Sequence, residues 1–88
     1  MTRLVLDKVN RGDFYKLTNL ILDSLERGER EITVYVDDFY FERLAEIRLD
    51  GNKLMFRGFG EDNWREIYRT HNTIKRELIE SFYVYLQS

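Results

Sequence analysis

An α+β fold is predicted for this chain, as one small domain over residues 1–88. Three observations predict it. Apolar residues recur at helical spacing from Phe14 to Leu25; an alternating apolar run from Ile32 to Phe59 folds back at Asp50-Gly51-Asn52; and a second helical pattern extends from Asp62 to Leu86. The expected order is a helix, an antiparallel β-meander of about three strands, and a long C-terminal helix, with a possible extra strand at the N-terminus.

Residues 3–9 open the chain. Leu4 and Leu6 alternate as in a strand, while Val5 and Val9 stand four apart as on a helix. Short apolar runs are not resolved by period alone, and the alternation favours a strand. Gly12 then breaks the chain and Asp13 is a good N-cap. Phe14, Leu17, Leu20, Ile21 and Leu25 follow with three-four spacing, and Gly28 stands where a helix C-terminus wants a left-handed residue.

Ile32-Thr33-Val34-Tyr35-Val36 has the β-branched composition of a strand, with Ile32, Val34 and Val36 on one face. Asp37-Asp38 ends it. From Phe39 to Leu49 a strand pattern (Phe41, Ala45, Ile47, Leu49) competes with a helical one (Phe41, Leu44, Ala45, Arg48), and the residues that follow favour the strand at the C-terminal end, leaving 39–44 open between the two. The turn at residues 50–52 fixes a register. With Gly51-Asn52 as a two-residue loop, glycine first as a type II′ turn prefers, Asp50 faces Lys53, Leu49 faces Leu54, and Ile47 faces Phe56. On the other face Glu46 meets Arg57 and Leu44 meets Phe59. The alternative loop, Asp50-Gly51, sets Arg48 against Lys53, and like charges directly opposite are unfavourable.

Trp64, Ile67, His71, Ile74, Leu78 and Tyr85 continue at helical spacing, with Tyr68, Ile79, Phe82 and Leu86 widening the face. A helix over residues 62–86 would be about 37 Å long. Strands of six or seven residues span only about 20–23 Å, so such a helix would overhang the sheet. A break at Ser81, with residues 82–86 as a strand, is the competing pattern.

Size bounds the rest. A chain of 88 residues buries a modest share of its surface, so small domains commonly rely on disulfides, metals or partner subunits. There is no cysteine, and one histidine cannot form an imidazole metal site. Oligomerisation remains. The net charge of −2 offers no electrostatic case for a polyanionic partner. No apolar run has the length of a membrane span, and Asp7 and Lys8 interrupt any signal-like stretch. A cytoplasmic protein without membrane, metal or cofactor is expected.

Several short motifs resemble functional signatures and also have simpler explanations. Tyr35-Val36-Asp37-Asp38 resembles the Tyr-x-Asp-Asp signature of reverse transcriptases, whose aspartates bind catalytic magnesium. The likeness covers four residues of a chain far too short for that family's palm and fingers, and paired aspartates also simply end strands. A hydrolase centred on Asp37, Asp38 and Glu42 would be the metal-dependent version of this idea. Arg57-Gly58-Phe59-Gly60 resembles the start of the RNP1 motif of RNA-recognition domains, but Glu61-Asp62 stand where a second stacking aromatic would be needed. Arg65, Arg69 and Arg76 would lie along one helix side, balanced by Asp62, Glu66, Glu77 and Glu80. Around His71, the neighbours Thr70, Asn72 and Thr73 supply no carboxylate for acid–base work.

Aromatic residues make up 15% of the chain. Phe14, Tyr35, Phe41, Phe56 and Trp64 can fill a core, leaving Tyr40, Tyr68, Phe82, Tyr83 and Tyr85 in excess. Aromatic rings with polar tips are enriched at interfaces. The expected function is therefore a non-enzymatic protein–protein interaction module, an adaptor, inhibitor or scaffold. It would be homodimeric through a C-terminal helix seam of Trp64, Ile67, His71, Ile74, Leu78, Phe82 and Tyr85. The alternative is a small nucleic-acid-binding regulator contacting its ligand through Arg57, Phe59, Arg65, Arg69 and Arg76.

Overall fold

The computed structural model describes residues 1–6 and 13–88. Gly12 and the 7–9 part of the N-terminal strand expectation lie outside them. The elements run β1 (Thr2–Leu6), α1 (Asp13–Glu26), β2 (Glu31–Val36), β3 (Arg43–Asp50), β4 (Lys53–Gly58), β5 (Arg65–Ile67) and α2 (His71–Gln87). The strands form one five-stranded sheet in sequence order. β1 pairs with β2 in parallel, and the remaining pairs are antiparallel. The class is α+β, but the sheet is mixed and has five strands where a meander of about three was expected.

β1 carries the expected alternation, with Leu4 and Leu6 aligned beside Val34 and Val36. α1 is the crossover between these parallel strands. It buries Leu17, Thr18, Ile21, Ser24 and Leu25. Leu20, expected on that face, points largely to solvent, because its position lies well off the centre of the arc that Leu17, Ile21 and Leu25 define. The helix ends as its glycine implies. Gly28 has φ 93°, its N–H donates to Leu25 O at 3.1 Å, and the Glu29 N–H donates to Ser24 O at 3.0 Å, the paired bonds of a Schellman motif.

The β3–β4 register is the one the charges favour. Asp50 faces Lys53, Leu49 faces Leu54, Ile47 faces Phe56 and Glu46 faces Arg57. Of the two loop residues only Gly51 has positive φ, as a type II′ turn requires. The expected Leu44–Phe59 pair does not form. Register shifts where Val34 and Tyr35 meet β3, so Val34 faces Ala45 while Tyr35 faces Arg43. The extra residue, Leu44, turns into the core at 0% exposure, as a β-bulge allows. Residues 39–42 belong to neither strand nor helix.

The largest departure is at the C-terminus. Residues 62–70 do not begin the last helix. Gly60 takes φ 78°, and Arg65–Ile67 pair along β4 as an edge strand, Ile67 beside Leu54 and Arg65 beside Phe56. Trp64, Ile67 and His71 fit a helical period, and Arg65-Glu66-Ile67, exposed, exposed and buried in turn, carries no alternation of its own; the open edge of β4 supplies its backbone partners. The helix starts only after Thr70, whose side-chain oxygen accepts from the Thr73 N–H at 3.3 Å. It then continues without a break at Ser81 to Gln87. Seventeen residues span about 25 Å, close to the length of β3, so the helix does not overhang the sheet.

Both helices cover one face. The core joins Val34, Val36, Ile47 and Phe56 of the sheet to Ile21 of α1 and Ile74 and Leu78 of α2. α2 approaches the sheet closely at Gly58, where an added Cβ would stand 2.3 Å from Ser81 Oγ. A second tie holds α2 to β5. The Arg65 guanidinium donates to both oxygens of Glu77, at 2.6 and 3.0 Å, and to both oxygens of Glu61, at 2.9 and 3.0 Å.

Candidate functional site

Residues 37–42 connect β2 to β3 at one end of the sheet, and Asp38 shapes the connection. Its Oδ1 accepts from the Tyr40 N–H at 3.0 Å and the Glu42 N–H at 3.2 Å. Its carbonyl accepts from the Phe41 N–H at 3.2 Å, and the Val36 N–H donates to Glu42 O at 2.8 Å. Aspartate favours such turns because its short side chain satisfies nearby backbone donors. Its other oxygen, Oδ2, accepts a short hydrogen bond from the Tyr85 hydroxyl, which fastens the loop to the last turn of α2.

Tyr85 is itself held by rings. Phe59 meets it edge-on at 5.5 Å, Phe82 stacks on it at 5.8 Å, and Phe82 in turn meets Phe14 of α1 at 5.5 Å. This row links α1, the β4 end and α2 beneath the loop. Above it the rings face outward. Phe39 is 94% exposed and Tyr40 77%, in edge-to-face contact with each other at 5.2 Å. Phe41 has φ 53°, an uncommon conformation for a bulky residue, and its ring lies 5.8 Å from Tyr35. A cleft of about 390 Å³ separates loop from helix, lined by Asp38, Phe39, Tyr40, Glu42, Tyr85, Leu86 and Ser88.

The electrostatics follow from that geometry. The hydrogen bond from Tyr85, with help from the backbone N–H groups, lowers the Asp38 carboxyl below its ordinary value. The same bond, burial and the charges of Asp38 and Glu42 push the Tyr85 hydroxyl up to about 12. The clamp thus holds an ionised carboxylate against a neutral phenol. Elsewhere, Arg65 lowers the Glu61 carboxyl, while Glu77 and Glu61 raise the Arg65 guanidinium further.

The expected helix seam is distributed over separate places. Trp64 precedes β5 and carries the guanidinium groups of Arg48 and Arg57 at 4.3 and 4.7 Å from its ring. Ile67 is buried on β5, and Ile74 and Leu78, at 0% exposure, fill the interior of the same chain. His71 stands at the start of α2 against the Tyr15 ring at 4.6 Å; its Nε2 is buried with no hydrogen-bond partner among the described residues. Phe82 and Tyr85 support the clamp.

The alternative nucleic-acid set does not converge either. Arg57 lies on the sheet face opposite the helices and is held by Glu46 through two bonds of 3.0 and 2.6 Å. Arg65 is engaged by two glutamates, Phe59 packs on Tyr85, and Arg69 and Arg76 are exposed elsewhere. Among the described residues no group of three His, Cys, Asp or Glu could hold a metal ion, and Asp38, central to the hydrolase idea, is hydrogen-bonded to Tyr85 and the loop backbone.

Sequence reasoning placed Phe41 in the core and passed over Phe39. The signal was present: three aromatics directly after the Asp37-Asp38 stop cannot all point inward from a turn. Among the described residues no helix is long and apolar enough to cross a membrane. No protein-family model, curated protein or solved structure matches the chain.

Proposed function

We propose that the protein is a non-enzymatic protein-interaction module whose contact surface is this aromatic end. The carrying observation is the near-complete exposure of Phe39 and Tyr40 on a loop whose backbone Asp38 and Tyr85 hold in place. Burying a ring of this size stabilises by about 1.5–3 kcal/mol, and the fold forgoes that gain twice in succession. A contact surface explains the arrangement, because aromatic anchors on a pre-ordered loop lose little freedom when a partner covers them. A second copy of the chain would meet this same end, since Ile74 and Leu78 of α2 are buried within the chain.

The test uses the wild type and the double variant Phe39→Ser/Tyr40→Ser as baits in an extract of the source cells, with sedimentation velocity of each protein alone. The expected result is a stoichiometric partner, or a dimer, seen with the wild type and lost with the variant. The variant should keep its stability within about 0.5 kcal/mol, as exposed substitutions usually do. Identical capture and identical sedimentation of the two proteins overturn the proposal.

A further inference from the structure

We infer that the segment accepted at the aromatic end is basic, with an arginine or lysine side chain entering the cleft between residues 38–42 and the last turn of α2. The inference rests on the contact surface proposed above and specifies its partner.

Charge complementarity is the argument. The cleft is lined by two carboxylates, Asp38 and Glu42, by the rings of Phe39, Tyr40 and Tyr85, and by Leu86, with no basic residue among the described residues of its walls. Three half-buried or buried glutamates each have an arginine, whereas among the described residues Glu29 and Glu42 have none. Glu46 is paired with Arg57 at 2.6 Å, Glu61 with Arg65 at 2.9 Å, and Glu77 with Arg65 at 2.6 Å. Glu42 is also half-buried, but among the described residues it has no side-chain hydrogen bond or ion pair, and its charge bears on the Tyr85 hydroxyl. The nearest basic side chain in sequence, Arg43, turns to Glu46 at 3.4 Å.

The rings point to the same ligand. A cation over an aromatic face is attracted by the ring quadrupole, and arginine does this most often. Among the described residues that contact is made three times, with Arg48 and Arg57 over Trp64 and Arg65 over Phe56 at 5.4 Å. Phe39 and Tyr40 offer the same faces, with no cation of the described residues upon them. A phosphate-bearing ligand would meet Asp37, Asp38 and Glu42 instead, so an acidic or nucleic-acid occupant is disfavoured by the same charges.

Three fluorescein-labelled heptapeptides serve as probes. They share alternating leucines and differ only in carrying two arginines, two glutamines or two glutamates. Fluorescence anisotropy should show the arginine peptide binding about tenfold more tightly than the glutamine peptide, with the glutamate peptide weakest. Glu42→Gln should weaken the arginine peptide about threefold and leave the glutamine peptide unchanged. Backbone amide shifts in NMR should concentrate at residues 38–42 and 85–86. Equal binding of all three peptides, absence of binding by the arginine peptide, or shifts centred elsewhere overturns the basic-partner inference. The capture experiment with Phe39→Ser/Tyr40→Ser is unaffected by those outcomes, so a partner lost there leaves the contact surface standing with a different occupant.

Discussion

Tyr85 separates two populations of aromatic residues. Below its ring lie Phe59 and Phe82, which support the core; above its hydroxyl lies the Asp38 carboxylate, which orders a loop of solvent-facing rings. The bond is strongest while the aspartate is ionised and the phenol protonated. Because the folded Tyr85 pKa is raised from 10.0 to about 12, its contribution to stability is complete below pH 10 and is lost as pH rises towards about 12. Because the folded Asp38 pKa is lowered, its contribution is present above the ordinary aspartate value and lost as pH falls through and below it. Tyr85→Phe should therefore lower Tm by a constant few degrees from about pH 5 to about pH 9, with the gap to wild type closing at both extremes. Glu61, also lowered, acts in both proteins and cancels in the difference. A gap that persists unchanged at high pH contradicts the clamp.

At the scale of elements, what was legible followed from strong local rules. The Gly28 helix stop, the β2 strand and the Gly51-Asn52 register each rest on one or two residues whose conformational or charge preference leaves little choice. What was not legible depended on tertiary partners. Arg65-Glu66-Ile67 is too short to carry a strand period, and only the free edge of β4 draws it into the sheet. The bulge that sends Leu44 inward is equally invisible to alternation. Once 62–70 leave the helix, Ile74 and Leu78 face the sheet and not a partner. Leu78→Asp, which would test a helix seam by placing a charge in it, should instead prevent stable folding, since truncation alone of such a buried leucine costs about 2–5 kcal/mol. Phe39→Ser should leave urea denaturation almost unchanged. The reverse ranking of these two variants contradicts the assignment of core and surface.

At the scale of the molecule, the helices and the row of rings from Phe14 to Phe59 close one side of the sheet. The candidate site was legible only in part. The aromatic excess was visible in the composition, and Tyr40 and Tyr85 were both among the residues weighed for an interface. Their meeting at Asp38 was not, because it joins residues 47 positions apart through a loop whose shape depends on side-chain to backbone bonds. The described residues thus pack an interior within the chain, and Phe39 and Tyr40 stand exposed together at one end of it, while Tyr15, Tyr68 and Tyr83 are exposed elsewhere.

Site-specific photo-crosslinking tests that division most directly. A p-benzoylphenylalanine at position 39 is compared in source extract with the same group at exposed position 19 on α1. A discrete adduct from position 39 alone, abolished by Tyr40→Ser, is the outcome expected of a contact surface. No discrete adduct from position 39, or the same adducts from both positions, contradicts it.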